Sequence, residues 1–166
     1  MASAIYLQRG AQLTIKSSGG TAVITPTSVG NGAGRISARL DLGAFPHADL
    51  LEIICILKTV SVPTTGTVAR VYCIGSDAAT RQGSTAYTDG YFAESDAAIT
   101  DEDTLRNTDL LTSVQADEQT VFQKRAIYAP TRRYLQIAFW NAYGVAMSGT
   151  AADCLFLVTP LYYENQ

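Results

Sequence analysis

Residues 35–42 read Arg35-Ile36-Ser37-Ala38-Arg39-Leu40-Asp41-Leu42, a strict alternation of polar and apolar side chains. Successive side chains of a strand point to opposite faces. Period two therefore predicts Ile36, Ala38, Leu40 and Leu42 on a core, and Arg35, Ser37, Arg39 and Asp41 in water or at an interface. Just downstream, Leu50-Leu51-Glu52-Ile53-Ile54-Cys55-Ile56-Leu57 is apolar on both parities. That pattern predicts a central strand covered on both faces, or one whose outer face meets a partner.

Strand signals continue in both directions. Thr67 to Ile74 is rich in β-branched residues and ends at Gly75-Ser76-Asp77, a turn signal. Leu110 to Gln115, Thr120 to Tyr128, Tyr134 to Trp140 and Leu155 to Tyr163 read the same way, joined by connectors such as Ala129-Pro130-Thr131 and Asn141-Ala142-Tyr143-Gly144. Towards the N-terminus, Gln12 to Lys16 and Ala22 to Thr25 flank Ser17-Ser18-Gly19-Gly20 and read as a hairpin. No long window carries apolar residues at the helical spacing. About eight to nine strands with turns and one long loop predict an all-β, antiparallel β-sandwich. Long connections favour a jelly roll over an immunoglobulin fold, whose Cys…Trp…Cys pattern is missing. The Gly-rich stretch Gly30 to Gly34 divides an N-terminal hairpin or arm, residues 1–34, from the sandwich domain, residues 35–166.

Composition narrows the function. The chain has 166 residues, 47% of them hydrophobic and 16% charged, with net charge −3. There is enough apolar surface to offset chain entropy, which excludes disorder as the main state. No basic field exists to hold nucleic acid. The longest apolar runs fall far short of the roughly 20 residues a membrane span needs. The first residues lack a basic segment followed by a long apolar one, so a cytoplasmic start is expected. A single His removes most His-dependent catalysis. Cys55, Cys73 and Cys154 lie in apolar runs without CxxC spacing and read as buried free thiols. A charge content of 16% is low against the usual ~25% and suggests faces covered by neighbours.

What charge there is gathers in two places. Asp89, Glu94, Asp96, Asp101, Glu102, Asp103, Asp109, Asp117 and Glu118 form an acidic stretch, opposed by Arg106. It reads as a solvated loop, a cation site or a glycosidase carboxylate pair, and it lacks the Gly and distal Glu of an EF-hand. The polar segment from Gly83 to Asp109 is long for a structureless loop, which suggests a working one. A helical turn is expected near Asp101 to Arg106, capped by Thr100 with Asp103. Lys124, Arg125, Arg132 and Arg133 flank Pro130 as a basic hairpin. Opposite signs predict a contact between Asp101, Glu102 and Asp103 of one copy and this hairpin of another, weakened by salt. Tyr87, Tyr91 and Phe92 on the long loop are candidate interface or sugar-stacking residues. Gly30-x-Gly32-x-Gly34 precedes a strand pattern and so fails as a dinucleotide motif. No G-x-S-x-G elbow occurs, and His47 beside Pro46 reads as a turn residue. These residues call for no catalytic group, metal or cofactor.

One resemblance follows from the order of motifs. Arg39-Leu40-Asp41-Leu42-Gly43 comes first, then Val71-Tyr72-Cys73-Ile74-Gly75-Ser76-Asp77. Arg133-Tyr134-Leu135-Gln136-Ile137 follows, then Asn141-Ala142-Tyr143-Gly144-Val145-Ala146. Over roughly residues 12 to 160 this order resembles that of small bacteriophage virion proteins of the capsid decoration or cement type. The resemblance implies a jelly roll on the outer head surface, made in the host cytoplasm. Its partners would be the major capsid protein and like copies in a homotrimer, with neither nucleic acid nor membrane involved. It brings no catalytic residues. The arm, through Ile5, Tyr6, Leu7 and Arg9, is then expected to order against the capsid or a neighbour. The alternative is a receptor- or glycan-binding module of a tail or fibre.

Overall fold

The computed structural model describes residues 5–43, 48–76, 95–106 and 108–165. Among these, the strands in chain order are β1 (Ile5–Arg9), β2 (Leu13–Lys16), β3 (Ala22–Val23), β4 (Ala33–Ile36), β5 (Leu40–Asp41) and β6 (Leu50–Lys58). They are followed by β7 (Val68–Ser76), β8 (Ala97–Ile99), β9 (Asp109–Gln115), β10 (Val121–Tyr128), β11 (Tyr134–Ala142) and β12 (Leu155–Asn165). A 3-10 turn, Glu102–Leu105, lies between β8 and β9.

The strands form two packed sheets. One runs β10-β6-β12-β2-β3, with β1 extending the pairing along β12. The other runs β8-β4-β11-β7-β9, with β5 also on β11. The antiparallel pairs are nested: β2 with β12, β4 with β11, β6 with β10, β7 with β9. One long hairpin of paired strands has thus been rolled up, bringing β6 against β12 and β7 against β11. This winding is the jelly roll. Of the long segment read from the sequence, Gly83 to Asp109, residues 83–94 and 107 lie outside the described residues, and the remainder carries β8 and the 3-10 turn between β7 and β9.

The core lies between the sheets. Ile15, Ile24, Leu51, Ile53, Cys55, Leu57, Val71, Ile137, Phe139, Phe156 and Val158 are fully buried there. Tyr143 joins them, packs its ring 5.0 Å from that of Phe122, and donates its hydroxyl proton to the Val114 carbonyl at 2.9 Å. Asn141 fixes the adjoining connector. Its amide donates to the carbonyls of Val29 and Val145, and its Oδ1 accepts from the Tyr143 N–H.

The opening stretch departs from strict alternation. Ile36 sits opposite Ala138, whereas Leu40 sits opposite Leu135, so one extra residue is accommodated between them. Ser37 marks the break. Its hydroxyl oxygen accepts from the Ile137 N–H, and the next residue, Ala38, donates to Val23. A bulge reverses parity beyond it. Leu40 therefore enters the main core, while Ile36 joins a second cluster on the outside of the sheet.

The N-terminal stretch expected as an arm supplies β1 to β3 of the first sheet and places Ile15, Ala22 and Ile24 in the core. Its expected hairpin is not one. Ile15 lies beside Ala22 and Lys16 beside Val23 in parallel. The Ser-Gly loop turns the chain through a full circle instead of reversing it. The strand count also exceeds the expected eight or nine, because β1, β3, β5 and β8 add short pairings around the eight rolled strands.

Candidate functional site

The two sheets treat their outer faces differently. On the second sheet, Tyr72 and Ile74 of β7, Ala138 and Trp140 of β11 and Ile36 of β4 point away from the main core. The chain covers them itself: the limb carrying β8 and the 3-10 turn lays Ile99 and Leu105 over them. Two arginines hold that limb. Arg35 donates to both oxygens of Asp96 at 3.0 and 2.6 Å. One nitrogen of Arg70 reaches both oxygens of Glu102 at 2.7 Å, and the Tyr72 hydroxyl donates to Glu102 Oε1 at 2.6 Å. Burial, helped by the Glu102 carboxylate, pushes the Tyr72 phenol up to about 12. A cavity of about 430 Å³ opens here, lined by Arg70, Tyr72, Glu102 and Leu110 among others.

The first sheet leaves its outer face bare among the described residues. Leu51, Ile53, Cys55 and Leu57 of β6 point inward, so Ile54 and Ile56 point outward, partly exposed. Register places Leu157 of β12 beside Ile54, Leu155 beside Ile56, and Ile127 of β10 beside Glu52. Ile127 is 49% exposed, and Tyr163, paired with Leu7 at the far end of β12, is 56% exposed. Isolated exposed apolar side chains are ordinary on a protein surface, but a contiguous apolar sheet face marks a contact site. Of the two outcomes expected for the run at 50–57, the described residues give a central strand whose outer apolar side chains stay partly exposed.

Glu52 lies within this face and is 3% exposed. Arg9 from β1 and Arg125 from β10 both pair with it, each guanidinium remaining largely in water. A carboxylate is rarely buried unless it is paired, and here two cations meet one anion. Nothing in the sequence connected these three residues, since Arg9 is 43 positions from Glu52.

The structure distributes the other candidate residues widely. Asp101 caps the 3-10 turn, its Oδ1 accepting from the Asp103 N–H at 3.0 Å, in the place expected for Thr100. Glu102 meets Arg70, and Asp103 meets Arg106 at 2.7 Å. Arg106 is thus not the sole opponent of the acidic stretch, because strand residues Arg35 and Arg70 also neutralise it. The basic residues do not form one hairpin. β10 and β11 lie in different sheets, so the Pro130 connector crosses the end of the sandwich. Arg125 lies on the bare face. Lys124 has the opposite parity and lines a polar cleft between β9 and β10. Arg133 forks onto Asp41 at 2.9 and 2.8 Å and stacks over Tyr134, while the Arg132 stem packs against Gly75. Leu7 and Arg9 lie on β1, where Ile5 and Tyr6 continue the backbone pairing with β12. Tyr87, Tyr91, Phe92, Asp89, Glu94 and His47 lie outside the described residues.

The cysteines are packing groups. All three are buried, and burial raises the thiols of Cys55 to about 12 and of Cys154 to about 11, with Cys73 raised as well. Among the described residues no group of three or more His, Cys, Asp or Glu converges as metal ligands would. No protein-family model matches the chain, and no curated protein matches it in sequence.

Proposed function

We propose that this chain is a structural protein of a phage virion, a decoration or cement protein that binds the outer head surface and stabilises the joints between capsomers. The observation that carries the reading is the apolar outer face of the first sheet, uncovered among the described residues, next to a second sheet that covers its own. A protein that worked alone would gain by covering both. The jelly-roll winding, together with an order of motifs that resembles small virion proteins, supports the same reading. Partners in this account are the major capsid protein and like copies, a trimer being the expected closed form.

The mechanism is mechanical. Surface buried across a joint raises the cost of separating the capsomers. A protein that binds only the assembled shell stabilises it by mass action. Heating particles with and without the protein tests this: the account expects rupture at lower temperature without it, and an unchanged rupture temperature overturns the cementing role. The cavity beside Arg70, Tyr72 and Leu110 favours a second reading, a glycan-binding module of a tail or fibre. Binding on a glycan array, with the protein missing from the head, would select that reading.

A further inference from the structure

We infer that the bare face of the first sheet is covered by a second copy of this chain, which presents the loop end built by residues 59–66 and 116–120. The inference rests on reading that face as a contact surface, and it names the occupant.

The loop end is one unit. The β6–β7 and β9–β10 connections are tied together by the Thr59 N–H donating to the Thr120 carbonyl at 2.9 Å and the Gly66 N–H donating to Ala116 at 3.2 Å. Val60 and Val62 project from it, 61% and 54% exposed. Asp117 and Glu118 are exposed beside them. Asp117 Oδ1 accepts from the Gln119 N–H, which holds the carboxylate at the tip. Neither acid enters an ion pair among the described residues. The tip therefore presents two exposed valines beside two carboxylates that no cation neutralises by an ion pair among the described residues.

The face has the complementary character. Its apolar side chains surround Arg9 and Arg125, two cations that share the single carboxylate of Glu52. One positive charge is left over. Face-to-face pairing of two copies would set arginines against arginines and repel. Tip-to-face pairing matches both the apolar surface and the sign.

One molecule cannot make this contact with itself. Glu52 lies near the start of β6 and Thr59 just past its end, about 23 Å apart at the rise of a strand. A contact between two different patches is heterologous, and it closes into a ring where the rotation permits.

The test is sedimentation of the full chain at low and high salt, with two variants. Asp117→Lys with Glu118→Lys reverses the tip, and Ile127→Glu disrupts the face by placing a carboxylate where the acidic tip would dock. All three positions are exposed, so unfolding midpoints are expected to stay unchanged and are measured in parallel. The wild type is expected to form an assembly of discrete mass that dissociates with salt, and each variant alone is expected to sediment as a monomer. A mixture of the two variants is expected to give a complex of two chains, because one intact tip meets one intact face. A wild type that is monomeric at every salt concentration, variants that still assemble, or a mixture that stays monomeric would overturn the inference.

Binding to heads stripped of the protein separates this inference from the head reading. If the wild type is monomeric yet binds heads, and Ile127→Glu abolishes that binding, the shell covers the face and only the self-contact falls. If copies assemble as described but nothing binds heads, the self-contact stands and the head reading falls.

Discussion

Glu52 lies beneath Arg125, a carboxylate 3% exposed on the outside of a sheet that pairs with a guanidinium left in water. Arg9 closes over the same carboxylate from β1. The arrangement lets a charge sit within an apolar face without standing alone, and it ties β1 and β10 to β6.

Removing the carboxylate tests how much that tie contributes. Glu52→Ala is expected to cost about 1–3 kcal/mol, because both guanidiniums lose their partner and a void opens beside Ile127. Glu52→Leu, of similar volume on an apolar face, is expected to stay within about 1 kcal/mol of wild type. Urea unfolding measures both, and equal losses in the two variants would contradict the account.

The limb over the second sheet is expected to loosen in acid. Burial pulls the Asp96 carboxyl upward, but hydrogen bonds from Arg35 and Thr25 outweigh it and hold the group below its usual value. A carboxyl lowered by folding adds stability above its unfolded pKa of about 3.9 and loses it as the pH falls through the folded value. Asp96→Asn is thus expected to be less stable than wild type near neutrality and to converge with it in strong acid. A gap that stays constant from neutral to acid pH would show that the fork adds nothing through charge.

Base acts on the other side. Tyr72, Cys55 and Cys154 are raised to about 12, 12 and 11. Groups raised by folding contribute fully below their unfolded values, roughly 8.5 for Cys and 10 for Tyr, and that contribution is lost as the pH rises through the folded ones. Unfolding is expected to become easier over that alkaline range. At mild pH a thiol reagent is expected to find no reactive cysteine in the native protein and all three in urea. Rapid reaction of any one in the native state would contradict their burial.

Two core changes calibrate the sandwich. Phe139→Ala is expected to cost about 3–5 kcal/mol, since the ring is fully buried between the sheets. Tyr143→Phe removes only the hydroxyl that satisfies the Val114 carbonyl and is expected to cost about 1–2 kcal/mol. Thermal unfolding that ranks them in reverse would mean the connector, not the core, limits stability.

Much of the fold was legible in the sequence because strand periodicity and turn residues are local signals. The two-sided apolar run at 50–57 announced a strand inside a sheet, and β6 lies between β10 and β12. The bulge at Ser37 was not legible, because alternation in sequence persists across a residue that breaks the ladder. The parallel pairing of β2 and β3 was hidden for a related reason: Ser17 to Gly20 signal a bend but not how far the chain turns. At the candidate site, the acidic stretch was visible as composition, yet its pairings with Arg35 and Arg70 depend on contacts between distant strands. The Glu52 pairing is hidden in the same way. Only the rolled sheet brings Arg9 and Arg125 to it.

The central claim concerns where the protein sits. Cryo-electron microscopy of the virion measures that directly, by fitting the jelly roll into density. The account predicts the fold on the outer surface of the head, over the joints between capsomers. Density for this chain confined to the tail or fibres, with bare capsomer joints, would contradict it.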